Sequence, residues 1–190
     1  MSGILLKKSP IVTIVGTGIG AALFFVVGRF IAIPSIIPNT NISIQYAVLA
    51  LFALLYGPIA GMLVGLVGHY LIDVSSFGAW WSWILSSALL GLILGLLMYK
   101  IKVDKASFRG KSIVWFISSI VIANAITWIF IAPTLDIAIY AEPADKVFFQ
   151  GLMAFVSNSI TAAVVGTIIA VAYANTVTPK GSLSEYTDEQ

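Results

Sequence analysis

The stretch IVTIVGTGIGAALFFVVGRFIAI runs from Ile11 to Ile33 and contains one ionisable side chain, that of Arg29, near its end. A helix needs about 20 predominantly apolar residues to cross the ~30 Å hydrocarbon core of a bilayer. The stretch has that length, so it predicts a transmembrane helix. A cleaved signal peptide is not favoured, because its apolar core is about 7–15 residues long and no persuasive cleavage site follows.

The whole chain has the composition of a membrane protein. Of its 190 residues, 59% are hydrophobic and 9% are charged, and the mean hydropathy is +1.03. Soluble domains carry about 25% charged residues. The net charge of +2 gives no reason to expect a nucleic-acid partner. With no cysteine and one histidine, the chain has too few ligands for a metal site, and we expect no cofactor.

Polar and proline-containing breaks divide the chain into six apolar runs. They predict helices at about 11–33, 42–56, 59–74, 80–99, 112–132 and 147–173, which form one domain over residues 1–175. Residues 176–190 are expected to be a polar cytoplasmic tail. The predicted fold is therefore an all-α integral membrane protein with a bundle of six transmembrane helices.

The basic residues predict the orientation of this bundle. Eight of the ten lie near the N-terminus, in the loop after the fourth run, or in the tail: Lys7, Lys8, Lys100, Lys102, Lys105, Arg109, Lys111 and Lys180. An even number of spans separates these regions, so the positive-inside tendency places both termini in the cytoplasm. The loop after the fifth helix then faces outward with Asp136, Glu142 and Asp145.

Candidate binding residues gather at the predicted outer ends of helices three to six. His69 and Asp73 are four residues apart on one helix face, and a carboxylate in lipid is normally paired or functional. Asp73 could fix the tautomer of His69 for a ligand, or the two could form a structural hydrogen bond. Arg29 could pair with Asp73 or with an acid of the fifth loop, and we favour a structural pair of this kind.

Tryptophans and amides add to this set. Trp80 and Trp83 stand with Trp81 at the start of the fourth helix, where they could form an interfacial belt or a stacking wall for a planar ring. Asn124, Trp128 and Asn158 could bind a ligand or join helices by hydrogen bonds. Together these residues suit a small, polar heterocycle in an outward-facing pocket.

Small residues line the first helix at a spacing of four, namely Gly16 with Gly20 and Gly18 with Ala22. Such residues let another backbone approach closely, either within this protein or in a separate membrane subunit. Two other classes of function remain open. An intramembrane enzyme would use His69 as base and Asp73 as orienter, and a scaffold protein would bind no small molecule.

The chain resembles the substrate-binding S components of energy-coupling factor (ECF) vitamin transporters over nearly its whole length. The similarity lies in the strings GIGAAL (18–23), GRF (28–30), IPNT (37–40), YGP (56–58), GH (68–69), WWSW (80–83), APTLD (132–136) and YAEPA (140–144). These strings resemble the branch assigned to hydroxymethylpyrimidine or pyridoxine.

The resemblance implies a non-catalytic subunit in a prokaryotic plasma membrane. It implies six helices with cytoplasmic termini, and a vitamin bound on the outer side by helices four to six. It also implies two kinds of partner, a transmembrane coupling subunit and two cytoplasmic ATPases. A small-xxx-small motif on the first helix makes the membrane contact in this family, and here Gly16, Gly18, Gly20 and Ala22 stand in that region.

Overall fold

Helices follow the apolar runs along the chain. The structure, a computed structural model, describes residues 9–31, 33–34 and 41–177. The helices are α1 (Pro10–Phe30), α2 (Gln45–Tyr56), α3 (Pro58–Val74), α4 (Trp81–Met98), α5 (Lys111–Asn124), α6 (Ala132–Tyr140) and α7 (Ala144–Thr176). Two short strands, β1 (Ile33–Pro34) and β2 (Asn41–Ile42), pair antiparallel between α1 and α2.

A π-helical segment, Ala125–Ile131, joins α5 to α6, so that Lys111–Tyr140 is one continuous rod of 30 residues. Four helical stretches in the described part of the chain are long and apolar enough to cross a membrane: α1, α4, this rod and α7. The helices α2 and α3 are shorter but also apolar. The protein is therefore a multi-pass, helical membrane protein, whereas six crossings and cytoplasmic termini stay predictions.

The closest helix packing is between α3 and α4. A Cβ atom added to Gly91 would overlap the backbone of Gly61, and one added to Gly65 would overlap the backbone of Ser87. At the other end of the pair, a Cβ atom on Gly95 would overlap the backbone of Pro58. The two helix backbones touch along their length, as small residues allow in lipid, where packing rather than water drives association.

Large apolar side chains cover the outside of the bundle. Ile11 and Ile14 on α1 are more than 70% exposed, and Ile160 and Ile168 on α7 are about 60% exposed. A soluble monomer rarely exposes a continuous apolar surface of this kind. In a bilayer the same surface faces hydrocarbon.

Consecutive helices run antiparallel, except that α5 and α6 continue in one rod, and this sorts the loops between two ends of the bundle. The N–H of Lys105 donates to the carbonyl of Val177 at 3.3 Å, so the loop at residues 99–110 lies beside the end of α7. The opposite end therefore holds the ends of α1, α3 and α6 and the starts of α2, α4 and α7. Most of the buried polar side chains lie at this second end.

The fifth predicted helix is longer than expected. We predicted its end at 132 because proline at 133 lacks an N–H and clashes with a carbonyl in the preceding turn. Instead, the N–H of Ala132 bonds to the carbonyl of Thr127, five residues earlier, and the wider π turn lets the chain continue helically to Tyr140. Asp136, expected in an outward loop, is consequently on a helix and buried.

The other helix ends differ by a few residues. The first helix ends at Phe30 rather than at 33, the second begins at Gln45 rather than at 42, and the last begins at Ala144 rather than at 147. The predicted break at 38–41 falls largely, and the tail beyond Val177 wholly, outside the described residues.

Candidate ligand-binding site

A cavity of about 680 Å³ opens at the end of the bundle opposite the 99–110 loop. Its wall is formed by residues from α1, α2, α3, α4, α6 and α7 and from the segments beside them: Gly28, Ser43, Gln45, Tyr46, His69, Ile72, Asp73, Phe77, Trp80, Trp83, Asp136, Glu142, Lys146, Val147, Gln150, Ala154 and Asn158. Aromatic, amide, hydroxyl and carboxylate groups thus surround one space. This mixture is typical of a site that orients a small polar ligand.

Asp136 joins the aromatic part of the wall. Its Oδ1 accepts from Trp80 Nε1 at 2.7 Å and from the Ser82 hydroxyl, and its Oδ2 accepts from Trp83 Nε1 at 2.8 Å. The carboxylate is 2% exposed. One buried side chain therefore fixes both indole rings.

Neighbouring rings reinforce this arrangement. Trp80 stacks on Tyr140 with ring centroids 4.2 Å apart, and the hydroxyl of Tyr140 accepts from the backbone N–H of Trp81 at 2.9 Å. The Trp83 ring lies 5.2 Å from that of Trp128, which is itself 5.4 Å from Tyr46. Ring packing therefore fixes the two indoles in addition to the hydrogen bonds of their N–H groups.

A second network crosses the cavity wall from α3 to α4 and α2. His69 Nε2 lies 3.5 Å from Asp73 Oδ1, and His69 Nδ1 lies 2.6 Å from the hydroxyl of Ser87. That hydroxyl is also 3.2 Å from the hydroxyl of Tyr46. Asp73 Oδ2 accepts from the backbone N–H of Trp80 at 3.0 Å, so the two networks meet at the start of α4.

The structure brings five of the seven predicted binding residues to one cavity: His69, Asp73, Trp80, Trp83 and Asn158. It does not bring Asn124 and Trp128 there. Trp128 Nε1 donates to Asn124 Oδ1 at 3.0 Å, and Asn124 Nδ2 donates to the carbonyl of Ile120 at 2.8 Å. These two side chains satisfy each other inside the bundle and do not line the cavity, which is the alternative of a structural hydrogen bond that their sequence left open.

Sequence reasoning missed Asp136, Gln45 and Tyr46. Asp136 was assigned to a loop because it follows Pro133 closely. The signal that could have identified it was the apolar context IAPTLDIAIY (131–140), in which a carboxylate is costly unless it is satisfied. Gln45 and Tyr46 begin α2, and nothing in their spacing distinguishes them from the apolar residues that follow.

One acidic and one basic side chain lie at the mouth of the cavity. Lys146 Nζ and Glu142 Oε2 form an ion pair at 2.6 Å across one turn at the start of α7. Just before them, Ala141 adopts a left-handed conformation with φ of 52°, which turns the chain from α6 into α7. The mouth is thus formed by a sharp turn and a neutralised pair.

The structure also corrects the predicted ion pair of Arg29. Arg29 is exposed, and its guanidinium lies 5.7 Å from the centroid of the Phe30 ring. Within the described residues, the ion pairs are His69 with Asp73 and Lys146 with Glu142. Arg29 therefore pairs with neither Asp73 nor a described acid of the fifth loop, because it points away from the bundle at the end of α1.

The four small residues of α1 divide between two faces. A Cβ atom on Gly16 would overlap the Tyr56 ring, and one on Gly20 would lie 2.6 Å from the Phe52 ring. Gly18 faces open space, and Ala22 is exposed. Gly16 and Gly20 thus pack inside the protein, which leaves Gly18 and Ala22 on the outer face.

A multi-pass helical bundle with a polar, tryptophan-lined cavity at one end defines a membrane protein that binds a small solute. The family model described as the S component of ECF-type riboflavin transporters matches residues 8–175. The chain belongs to this family. The predicted resemblance to ECF S components is confirmed, and the hydroxymethylpyrimidine or pyridoxine branch stays a prediction.

Several relatives are similar over nearly their whole length. A UPF0397 protein of Clostridium perfringens is 50% identical over 178 residues, covering 93% of this chain and 96% of the relative. UPF0397 proteins of Streptococcus gordonii and Staphylococcus aureus are 49% and 46% identical, respectively, each across 90% of this chain and 92% and 94% of their own lengths.

Family membership defines the coarse function. The protein is the substrate-binding subunit of an ECF transporter, and the family implies association with an EcfT-type coupling subunit and ATPase subunits. A transporter subunit, rather than an intramembrane enzyme or a scaffold, is what this family supports.

Proposed function

We propose that the cavity binds a small heterocyclic vitamin or precursor of the pyridoxine or hydroxymethylpyrimidine type from the extracellular side of a prokaryotic plasma membrane. The observation that carries this proposal is the pair of indole rings, Trp80 and Trp83, fixed by one buried carboxylate on the cavity wall. Rigid aromatic rings bind planar ligands at low cost in conformational entropy.

The proposed roles follow from position. Trp80 or Trp83 stacks on the ligand ring, while His69, Asp73 and Asn158 bond its hydroxyl and nitrogen groups. Trp128 supports Trp83 from behind and touches no ligand. The cavity lies at the end of the bundle opposite the basic loop at 99–110. If that loop and both termini are cytoplasmic, the cavity opens to the outside of the cell.

Riboflavin is the second candidate. The matching family is described by that vitamin, and a cavity of about 680 Å³ leaves room for a ligand larger than a single ring. The polar groups around the cavity do not favour a ligand with a single ring over riboflavin, which has three fused rings. A titration with all three compounds separates these candidates.

Calorimetric titration of the purified, full-length protein tests the cargo. We expect saturable, sub-micromolar binding of pyridoxine or hydroxymethylpyrimidine and a Kd about tenfold or more higher in Trp83→Ala, because the stacking surface is lost. Trp115→Ala is the matched control, since Trp115 lies on the exposed face of α5. Tight binding of riboflavin alone would contradict the single-ring assignment, and equal losses in both variants would contradict the role of Trp83.

The outer face of α1 is the proposed docking site for the coupling subunit. Gly18 and Ala22 lie one turn apart on this face, and neither packs within the described bundle. Small residues on a lipid-facing helix let a partner helix approach its backbone closely. Gly16 and Gly20 act indirectly, by seating α1 against Tyr56 and Phe52 of α2.

Uptake measurements with Ala22→Leu test this face. We expect vitamin uptake by cells that express the complete transporter to fall at least tenfold, because a leucine side chain would hold the partner helix away. Ligand binding by the isolated subunit should be unchanged. Ala138→Leu introduces the same bulk on the exposed face of α6 and should leave uptake intact. Normal uptake by Ala22→Leu would refute docking through Gly18 and Ala22.

A further inference from the structure

We propose that this cavity selects a ligand that carries positive charge on or beside its aromatic ring. The inference rests on the proposed function of the same cavity and adds the electrostatic class of its cargo. It depends on the unbalanced charge of the cavity wall, the polarisation of its two indoles, and the amide of Asn158 on the same wall.

Negative charge on the cavity wall exceeds positive charge. Among the residues that line it, Glu142 is neutralised by Lys146, whereas Asp73 and Asp136 are each 2% exposed and have no lysine or arginine within 4.0 Å in the described part of the chain. His69 faces Asp73 at 3.5 Å and could offset that one carboxylate. Asp136 would still lack a counter-charge, and a buried charge without one is costly.

The carboxylate of Asp136 acts on the ligand through the two indoles. Each indole donates its N–H to this anion, at 2.7 Å from Trp80 and 2.8 Å from Trp83. Donation to an anion pushes electron density into the ring and makes its face more negative. Tryptophan already attracts cations more strongly than other aromatic side chains. The two rings therefore favour a cation over a neutral ring of the same shape.

Asn158 indicates that a ligand completes the wall. Its side chain is 4% exposed and lines the cavity, where its amide is available to a ligand. Buried amides nearly always have a partner. A ligand with a hydroxymethyl or amino substituent would supply one. The ligand class is thus an aromatic nitrogen heterocycle with a positively charged ring and a neighbouring hydrogen-bonding group.

A pair of matched compounds tests the charge preference. The probes are 4-amino-5-hydroxymethyl-2-methylpyrimidine, whose ring nitrogen is basic, and its 4-oxo counterpart, which is not. Calorimetry on the full-length protein in nanodiscs should show a Kd at least about tenfold lower for the amino compound. In Asp136→Asn this ratio should fall toward one, whereas Asp145→Asn, an equivalent change at an exposed acid, should preserve it.

A second pair of probes needs no variant. The 3-deoxy analogue of pyridoxine, which lacks the acidic ring hydroxyl, and its permanently charged N-methylpyridinium derivative should differ in the same sense, with the cation bound more tightly. Equal binding of neutral and charged partners in both pairs would overturn the charge preference and leave the vitamin-binding function standing. Failure of folded protein to bind any of these heterocycles, or riboflavin, would overturn the proposed function and this inference together.

Discussion

Replacing Gly91 with leucine is expected to prevent the protein from folding stably. A Cβ atom at this position would overlap the carbonyl group of Gly61 and lie 3.0 Å from the backbone nitrogen of Met62. A flexible side chain could move aside, but these atoms belong to the backbone of α3. The substitution therefore forces α3 and α4 apart along their whole contact, at a cost of about 3 kcal/mol or more.

Fluorescence-detected size exclusion of the full-length protein measures this effect. Gly91→Leu should yield little monodisperse protein, and its thermal midpoint should fall well below that of the wild type. Gly18→Leu is the matched control, because it makes the same change where a Cβ atom meets nothing within 4 Å. If both variants gave equal amounts of folded protein, close α3–α4 contact would be disproved.

The α3–α4 contact also determines the geometry of the cavity. Gly65 brings α3 against the backbone of Ser87, and the hydroxyl of Ser87 bonds His69 one turn further along α3. Asp73, another turn on, then receives the N–H of Trp80 at the start of α4. The glycines are thus responsible for bringing His69 and the carboxylate of Asp73 against α4 at the same end of the bundle.

Much of the fold and part of the site could be predicted from local sequence. Runs of apolar residues predicted helices in all six regions, and the spacing of four between His69 and Asp73 placed both on one helix face. The rings of Trp80 and Trp83 were associated with a polar cavity because interfacial tryptophans beside a buried acid suit a binding wall. These inferences needed periodicity and burial cost but no knowledge of tertiary contacts.

The remaining features depend on contacts that sequence patterns do not report. A π turn before Pro133 keeps the chain helical and buries Asp136, although proline generally ends a helix. The face of α1 that packs inward is decided by Tyr56 and Phe52, which occupy the grooves beside Gly16 and Gly20. Asn124 and Trp128 are four residues apart on one helix face, a spacing that suits two ligand contacts and equally suits a hydrogen bond between the two side chains. The sequence alone does not distinguish these cases, and the structure shows the hydrogen bond.

Replacing Asp136 with alanine is expected to cause the largest loss of ligand binding. The change leaves three buried or half-buried donors without their acceptor: the N–H groups of Trp80 and Trp83 and the hydroxyl of Ser82. Each unsatisfied donor costs about 1–3 kcal/mol, so both indoles should leave their positions on the wall. A loss of about 3 kcal/mol corresponds to a Kd roughly 100-fold higher.

A spectroscopic signal separates this effect from general unfolding. Ordered indoles give a near-ultraviolet circular dichroism signal, which Asp136→Ala should weaken while the far-ultraviolet helix signal is retained. Asp136→Asn keeps the shape but offers one acceptor oxygen instead of two, so its Kd should lie between those of the wild type and the alanine variant. Ser82→Ala removes one donor and spares both indole bonds, so its Kd should change by about threefold or less. If the indole signal and Kd stayed unchanged in Asp136→Ala, then the rings would be held by Tyr140 and Trp128 instead. In that event, the carboxylate would have no part in shaping the binding wall.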